Sequence, residues 1–349
     1  MSWKQQKVFV SGSLAGWEVA SKGRKGQLEV WFGRLLLGPR PGRMSFLRAD
    51  LSAQTPERMN SNRELKAQLC YRCPDCALRT PNAKFKTPLP MPRFNANLSW
   101  LFQELPFFDR FRAAANAGFR GIEILFPYDY SAHEIRSALQ AQGQEMVLLN
   151  APSGNFTAGD RGIAALPGRE REFRDTFDQA LAYAETLQCK RIHVMSGITK
   201  GADQQEAHRT YLANLEYALE KVGNSGLFVL IEPINTRDIP GYFLTTIEGA
   251  DNILQGLRHP ALKIQFDWYH AQIMGGDLSR RTEKFFPKIG HFQLAGVPDR
   301  AEPDRGEVNF PHLFRLVDAL HYEGWIGCEY RPKGRTEEGL GWLPKPLYA

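Results

Sequence analysis

From Met91 to the C-terminus the chain alternates strand-like with helix-like runs, and no other feature of the sequence restricts its fold as much. The strand-like runs are FNANLSWLF, GIEILFP, EMVLLNAP, RIHVMSGI, FVLIEPIN, LKIQFDWYH, GHFQLAG and WIGCEYRP. After them come runs of helical character, from FFDRFRAAANAG and REFRDTFDQALAYAETLQ to FPHLFRLVDALHYEG and a short TEEGLGWL. Several end in glycine (Gly118, Gly143, Gly223, Gly324), the residue that lets a chain leave a helix through a left-handed turn. Each strand with its helix occupies about 30 residues, the size of a βα repeat. Eight such units specify a closed (β/α)8 TIM barrel more readily than an open sheet. No G-x-G-x-x-G follows the first strand, so a Rossmann domain is not expected.

The fold class expected is therefore α/β: a TIM barrel over residues 91–349, preceded by a largely disordered extension over 1–90. The extension carries 16 Lys and Arg against 6 Asp and Glu, whereas the remainder carries 28 against 32, so the net charge of +6 describes the leader and not the barrel. Prolines at 39, 41, 56, 74, 81, 88 and 90, and no sustained period of 2 or 3.6, mark it as unstructured. A shortened chain beginning at Met91 is expected to fold and keep its chemistry. No run of 18 apolar residues is present, and the N-terminus is too polar for a signal-peptide core. Five cysteines do not make a disulfide framework. Cys70, Cys73 and Cys76 have metal-like spacing but no fourth ligand at a familiar interval, and are read as incidental. The expected location is the cytoplasm, or the mitochondrion if the basic leader acts as a transit sequence.

Four polar residues stand at comparable points of the last four strands: Glu232 in VLIEPIN, Asp267 in IQFDWYH, Gln293 in HFQLAG and Glu329 in IGCEYRP. In a (β/α)8 barrel these points are the C-terminal strand ends, where the βα loops converge on the site. Three carboxylates in one cavity repel one another and take up protons unless a cation holds them. Oxygen donors without thiolates suit a divalent metal, Mg²⁺ or Mn²⁺ ahead of Zn²⁺ or Co²⁺.

The segments IEPIN, FDWYHAQIMGGD, HFQLAGVPDRAEPDRGEVNF and CEYRP resemble the hydroxypyruvate isomerase family, among the barrels related to xylose isomerase. The resemblance covers about residues 91 to 343, with intervals of 35, 26 and 36 residues between the four polar positions. It implies that Glu232 and Glu329 are the proton donor and acceptor, that Glu232, Asp267, Gln293 and Glu329 bind the metal, and that His270 contacts a substrate oxygen. The implied reaction interconverts 3-hydroxypyruvate and 2-hydroxy-3-oxopropanoate through an enediolate. Two carboxylates and a Lewis acid suffice for it, without nicotinamide, flavin or nucleotide.

An anionic substrate calls for a cation, and Arg300 in VPDRAEP is the choice because a guanidinium pairs with carboxylate in bidentate fashion. Glu302 and Glu307 stand nearby, and Asn150 and His193 end strands three and four. Trp100, Phe102, Phe126 and Tyr128 are read as packing. The long, Gly-rich stretch 153–172 is read as a lid. The partner expected is a small hydroxy or oxo acid, with neither nucleic acid nor membrane, and homo-oligomerisation is left open. The alternatives are isomerisation or epimerisation of 2-oxotetronate or a ketose on the same barrel, and, more remotely, metal-dependent phosphodiester hydrolysis.

Overall fold

A computed structural model describes residues 92–343 together with four earlier strands, β1 (Lys4–Val8), β2 (Gly16–Arg24), β3 (Gln27–Leu35) and β4 (Phe46–Ala49). The chain divides into two units, Met1–Lys86 and Thr87–Ala349. In the first, β1 to β4 pair in sequence order as an antiparallel sheet, which the sequence reading of the extension did not anticipate. Val19, Val30, Trp31 and Phe32 suit a pleated ribbon, but glycines at 23 and 33 break the period that would have shown it. The rest of the extension, with Cys70, Cys73 and Cys76 and most of the expected disorder, lies outside the described residues.

The second unit is a closed barrel of eight parallel strands: β5 (Arg93–Asn97), β6 (Gly121–Ile124), β7 (Glu145–Asn150), β8 (Arg191–His193), β9 (Phe228–Ile231), β10 (Leu262–Asp267), β11 (Ile289–Leu294) and β12 (Trp325–Cys328). Neighbours pair in sequence order, and β12 closes on β5 through Trp325↔Arg93 to Cys328↔Ala96. The outer layer contains α1 (Phe107–Asn116), α2 (Ala132–Ala141), α3 (Glu170–Leu187), α4 (Gln204–Val222), α5 (Ile247–Leu257), α6 (Trp268–Met274), α7 (Leu278–Phe285) and α8 (Phe310–Ala319). The TEEGLGWL run is a 3-10 helix over Thr336–Trp342.

Local chemistry accounts for the helices. Along α3, Phe173, Phe177, Ala180, Ala184 and Leu187 form one buried stripe at helical spacing, while Glu170 and Glu172 in the first turn favour the positive end of the helix dipole. Ser131 and Glu134 form a reciprocal capping box at the start of α2, and Asp203 accepts from Gln205 N and Glu206 N at the start of α4. Gly118 and Gly143 follow α1 and α2 with φ of 101° and 61°, as the sequence implied.

Period-2 alternation organises the barrel interior. Along β12 and the residue just beyond it, Trp325, Gly327 and Glu329 follow one another at two-residue steps, as do Gln265 and Asp267 on β10 and His291 and Gln293 on β11. At the N-terminal end, Val147, Leu148, Leu230 and Trp325 form a separate apolar cluster. Arg93 stacks over Trp325 at 4.8 Å. The opposite end is where polar side chains collect. Among the described residues no helix is long and apolar enough to cross a membrane.

On α8 the buried face is Phe310, Leu313, Phe314 and Val317, and Asp318 beside it is half-buried near the helix C-terminus. Burial pushes the Asp318 carboxyl up to about 6. A folded-state value above the ordinary carboxylate range means that the folded chain binds the proton more tightly than the unfolded one. Ionisation of Asp318 therefore opposes folding increasingly as pH rises from about 4 to 6, and the helix dipole adds to the penalty. Asp318→Asn should raise the melting midpoint at pH 7.5, with the gain shrinking to nothing as pH is lowered to about 4, which calorimetry across that range will measure.

Candidate active site

Strand ends, one helix start and one loop build the site. Glu232 and Glu329 are the first residues beyond β9 and β12, Asp267 is the last of β10, and Gln293 is the last but one of β11. All four are buried, between 0% and 6% exposed. Asp267 ends its strand by capping α6: its Oδ1 accepts from Tyr269 N at 2.8 Å. The bulky Trp268 and Tyr269, which read as strand formers, are consequently the first turn of a helix. The cap satisfies one Asp267 oxygen, while Oδ2 has no hydrogen-bond partner among the described residues.

Glu329 is the most fully supported of the acids. Its Oε1 takes Arg300 Nη2 at 2.7 Å, and its Oε2 accepts from Gln293 Nε2 at 2.6 Å and Asn97 Nδ2 at 3.1 Å. Glu232 has less support, since its Oε1 has no hydrogen-bond partner among the described residues. Burial is the main cause that lifts the proton affinity of all three carboxyls: Glu329 is pushed up to about 8, Asp267 to about 6, and Glu232 well above the usual range. The charges of Glu329 and Asp267 lift Glu232 further, and Arg300 works against the rise at all three.

Arg300 sits inside the site and not on the solvated surface. Its guanidinium lies 4.5 Å from the Trp100 ring centroid and 5.0 Å from that of Tyr269, and its backbone has φ 53°. Trp100, read as packing, therefore also seats this cation. Glu302 accepts from Lys333 N at 2.9 Å in the adjoining loop, and Glu307 lies on the rim, where it accepts from Gln272 at 3.1 Å.

Two imidazoles flank Glu232: His193 Nε2 is 3.6 Å from Oε2, and His270 Nε2 is 3.8 Å from Oε1 and 3.7 Å from Asp267 Oδ2. Burial lowers the proton affinity of both, that of His193 to about 3, so each is neutral and has one ring N–H to place. Asn235 settles the placement at His270. Its Oδ1 accepts from Asp238 N at 2.8 Å, so its Nδ2 is the group that meets His270 Nδ1, at 2.6 Å. Asn235 N also points at Nδ1, at 3.4 Å, which leaves the imidazole proton on Nε2.

Glu232, Asp267 and His270 offer ligand atoms all within 4.8 Å of one another, close enough to share a metal ion. The His270 tautomer faces the acids as a donor, however, so the two carboxylates are the better-founded part of that set. Gln293 departs from the sequence expectation in one respect, because its Oε1 already accepts from Gln265 Nε2 at 2.6 Å.

Sequence reasoning missed a network beneath these residues. Glu123 on β6 is fully buried; its Oε1 meets His291 Nε2 at 2.5 Å, and its Oε2 accepts from Gln293 Nε2 at 2.9 Å and Asn97 Nδ2 at 3.2 Å. Gly327 makes room for it: a Cβ at that position would collide with Glu123 Oε1 and come within 2.9 Å of Gln293 Cγ. Glu123 stands between Ile122 and Ile124, the same pattern that singled out Asp267, and His291 lies two residues before Gln293 on the same strand face. The stretch read as a lid is tied down in its second half, where Ile163, Ala164 and Ala165 are buried and Ala165 N bonds Ser196 O at 2.7 Å. Near its tip Phe156 is half exposed and lies against Phe126 and Arg161.

A family model described as the xylose isomerase-like TIM barrel matches residues 111–345. The 2-oxo-tetronate isomerase of Cupriavidus necator is 52% identical over 254 residues, which cover 72% of this chain and 98% of that protein. The hydroxypyruvate isomerase of Escherichia coli K12 is 44% identical over 254 residues, with the same coverage. A crystal structure from Brucella melitensis, described as an AP endonuclease of family 2, superposes with a TM-score of 0.71 at 50% identity and covers 72% of this chain and 98% of its own. With the family model lying over β6 to β12 and the relatives aligned along almost their whole lengths, the chain is an isomerase and belongs to the xylose isomerase-like TIM barrel family.

Proposed function

We propose that this isomerase interconverts 3-hydroxypyruvate and 2-hydroxy-3-oxopropanoate, and that residues 91–349 carry the whole site. The observation that supports this reading most is the pair Glu232 and Glu329, set three strands apart around the barrel mouth, both buried and both with raised proton affinity. Moving the carbonyl by one carbon takes a proton from C3 and returns one to C2, while the hydroxyl hydrogen passes from O3 to O2. One carboxyl of the pair accepts the first proton and the other donates the second. Burial brings their proton exchange closer to neutral pH than it is for a free carboxyl. Arg300 presents its guanidinium to the substrate carboxylate, steadied by Trp100 and Tyr269. His270 donates its Nε2–H to a substrate oxygen.

The unpartnered Glu232 Oε1 and Asp267 Oδ2 fit a divalent cation, and Glu329 and Gln293, whose oxygens are engaged by Arg300, Asn97 and Gln265, would join them only by giving up a hydrogen bond. Mg²⁺ or Mn²⁺ bound there supplies Lewis acidity that makes the proton beside the carbonyl easier to remove. The 52% identical relative favours a second reading with the same chemistry on 2-oxo-tetronate, one carbon longer. The name of the Brucella structure points instead to phosphodiester cleavage. Acid side chains no more than 8% exposed and an arginine side chain 15% exposed suit a small acid better than a nucleic-acid backbone.

The full chain with Mn²⁺ or Mg²⁺ should convert hydroxypyruvate to its isomer, followed by NMR, with 2-oxo-tetronate run in parallel to rank the two substrates. Glu232→Gln and Glu329→Gln should each lower kcat on the order of 10² to 10⁴. If either variant keeps near-normal turnover at full metal content, the proton-transfer assignment is wrong. Stripping divalent ions with a chelator should abolish turnover and lower the melting midpoint. Readdition at about 100 times Kd should restore about 2.7 kcal/mol of stability. An unchanged midpoint would show that these carboxylates hold no ion.

A further inference from the structure

His193 is the polar group at the mouth for which the reaction above has no use. It is 1% exposed, ends β8, and its Nε2 has no hydrogen-bond partner among the described residues although it points toward Glu232. Its other nitrogen, Nδ1, meets Asn150 Oδ1 at 3.2 Å. Asn150 belongs to the neighbouring strand β7, paired to β8 through Asn150↔His193, and its carbonyl is fastened by Tyr128 Oη at 2.5 Å. An amide oxygen only accepts, so the single proton of this imidazole sits on Nδ1, and Nε2 presents a lone pair to the site.

His270 is arranged the other way. Asn235 turns an N–H toward His270 Nδ1, and His270 Nε2 faces the site as a donor. Two imidazoles on either side of Glu232 thus carry opposite polarity, each set by an asparagine: one N–H and one lone pair. A molecule that bears a carbonyl and a hydroxyl on adjacent carbons matches them, because its carbonyl oxygen accepts and its hydroxyl donates. A plain 2-oxo acid fills only the donor and leaves the buried lone pair unmatched.

We infer that His193, held as the Nδ1–H tautomer by Asn150, accepts the hydrogen bond of the substrate hydroxyl and thereby selects α-hydroxy carbonyl acids over their deoxy analogues. The inference rests on the isomerase reading above. His193 is a binding residue, and Asn150 is a positioning residue that acts through it.

The test uses the full, metal-loaded chain with hydroxypyruvate as substrate and pyruvate, which lacks the hydroxyl, as competitive inhibitor. His193→Phe keeps the ring volume without the lone pair. It should raise KM for hydroxypyruvate about 3- to 10-fold, the scale of one neutral hydrogen bond, with a smaller change in kcat. The inhibition constant of pyruvate and the bound metal should stay as in the unaltered protein. Asn150→Leu should reproduce the KM effect, and Asn150→Asp, which keeps the acceptor, should not. Independently of any variant's folding, ¹⁵N-histidine spectra of the unaltered chain should show His193 protonated at Nδ1 and His270 at Nε2.

An Nε2–H signature at His193, an unchanged KM in a folded His193→Phe chain, or loss of metal from that variant overturns the inference. The last outcome would make His193 a ligand. If the unaltered chain neither turns over hydroxypyruvate nor is inhibited by pyruvate, the isomerase substrate itself is wrong and the inference falls with it. That result is distinguishable because it appears before any substitution is made.

Discussion

Arg300 against Glu329 is the contact on which the mouth of the barrel depends. Glu232, Asp267 and Glu329 stand within one desolvated volume, and each loses far more by leaving water than a neutral group would. Arg300 opposes that loss at all three acids, at 2.7 Å for Glu329 and 4.0 Å for Asp267. The guanidinium is useful there because it is held: aromatic rings bracket it, and Arg331 N bonds its carbonyl oxygen at 2.8 Å. A lysine at this position would lack both the planar stacking and the fork.

Beneath the acids, amides do what a second cation would otherwise have to do. Asn97 and Gln293 each donate to Glu329 and to Glu123, so two neutral side chains tie two carboxylates together. Such a network is stable only while every member is satisfied, which makes the site rigid. The free oxygens on Glu232 and Asp267 stand above that network together with His193 Nε2 and Gln265 Oε1, which also lack hydrogen-bond partners among the described residues.

The barrel was legible because eight strand-helix alternations survive in the sequence, and the strand-end acids were legible because a carboxylate among apolar neighbours is costly without a reason. Both signals are local. What was missed depends on contacts between strands far apart in sequence, such as Glu123 with His291 across 168 residues. The residues could still have been found by stepping inward two positions from Asp267 and Gln293 to Gln265 and His291. WYH read as strand because Trp and Tyr favour sheets, and the structure makes it the start of a helix because Asp267 caps it. Helix caps override propensity over one turn, and no propensity scale carries that information. The antiparallel sheet of β1 to β4 was missed for a related reason, since its short ribbons never repeat a pattern for long enough to stand out.

Gly327 links this architecture to the way such a chain can change over generations. The space above its Cα is filled by the Glu123 carboxylate and the Gln293 stem, from two other strands. A substitution to any larger residue at 327 is compatible with the barrel only if position 123 shrinks as well, and shrinking 123 strands His291, Asn97 and Gln293 without their shared acceptor. The two positions are therefore bound as a pair, and a lineage that loses the glycine loses the buried acid with it. Descent should show 123 and 327 changing together or not at all.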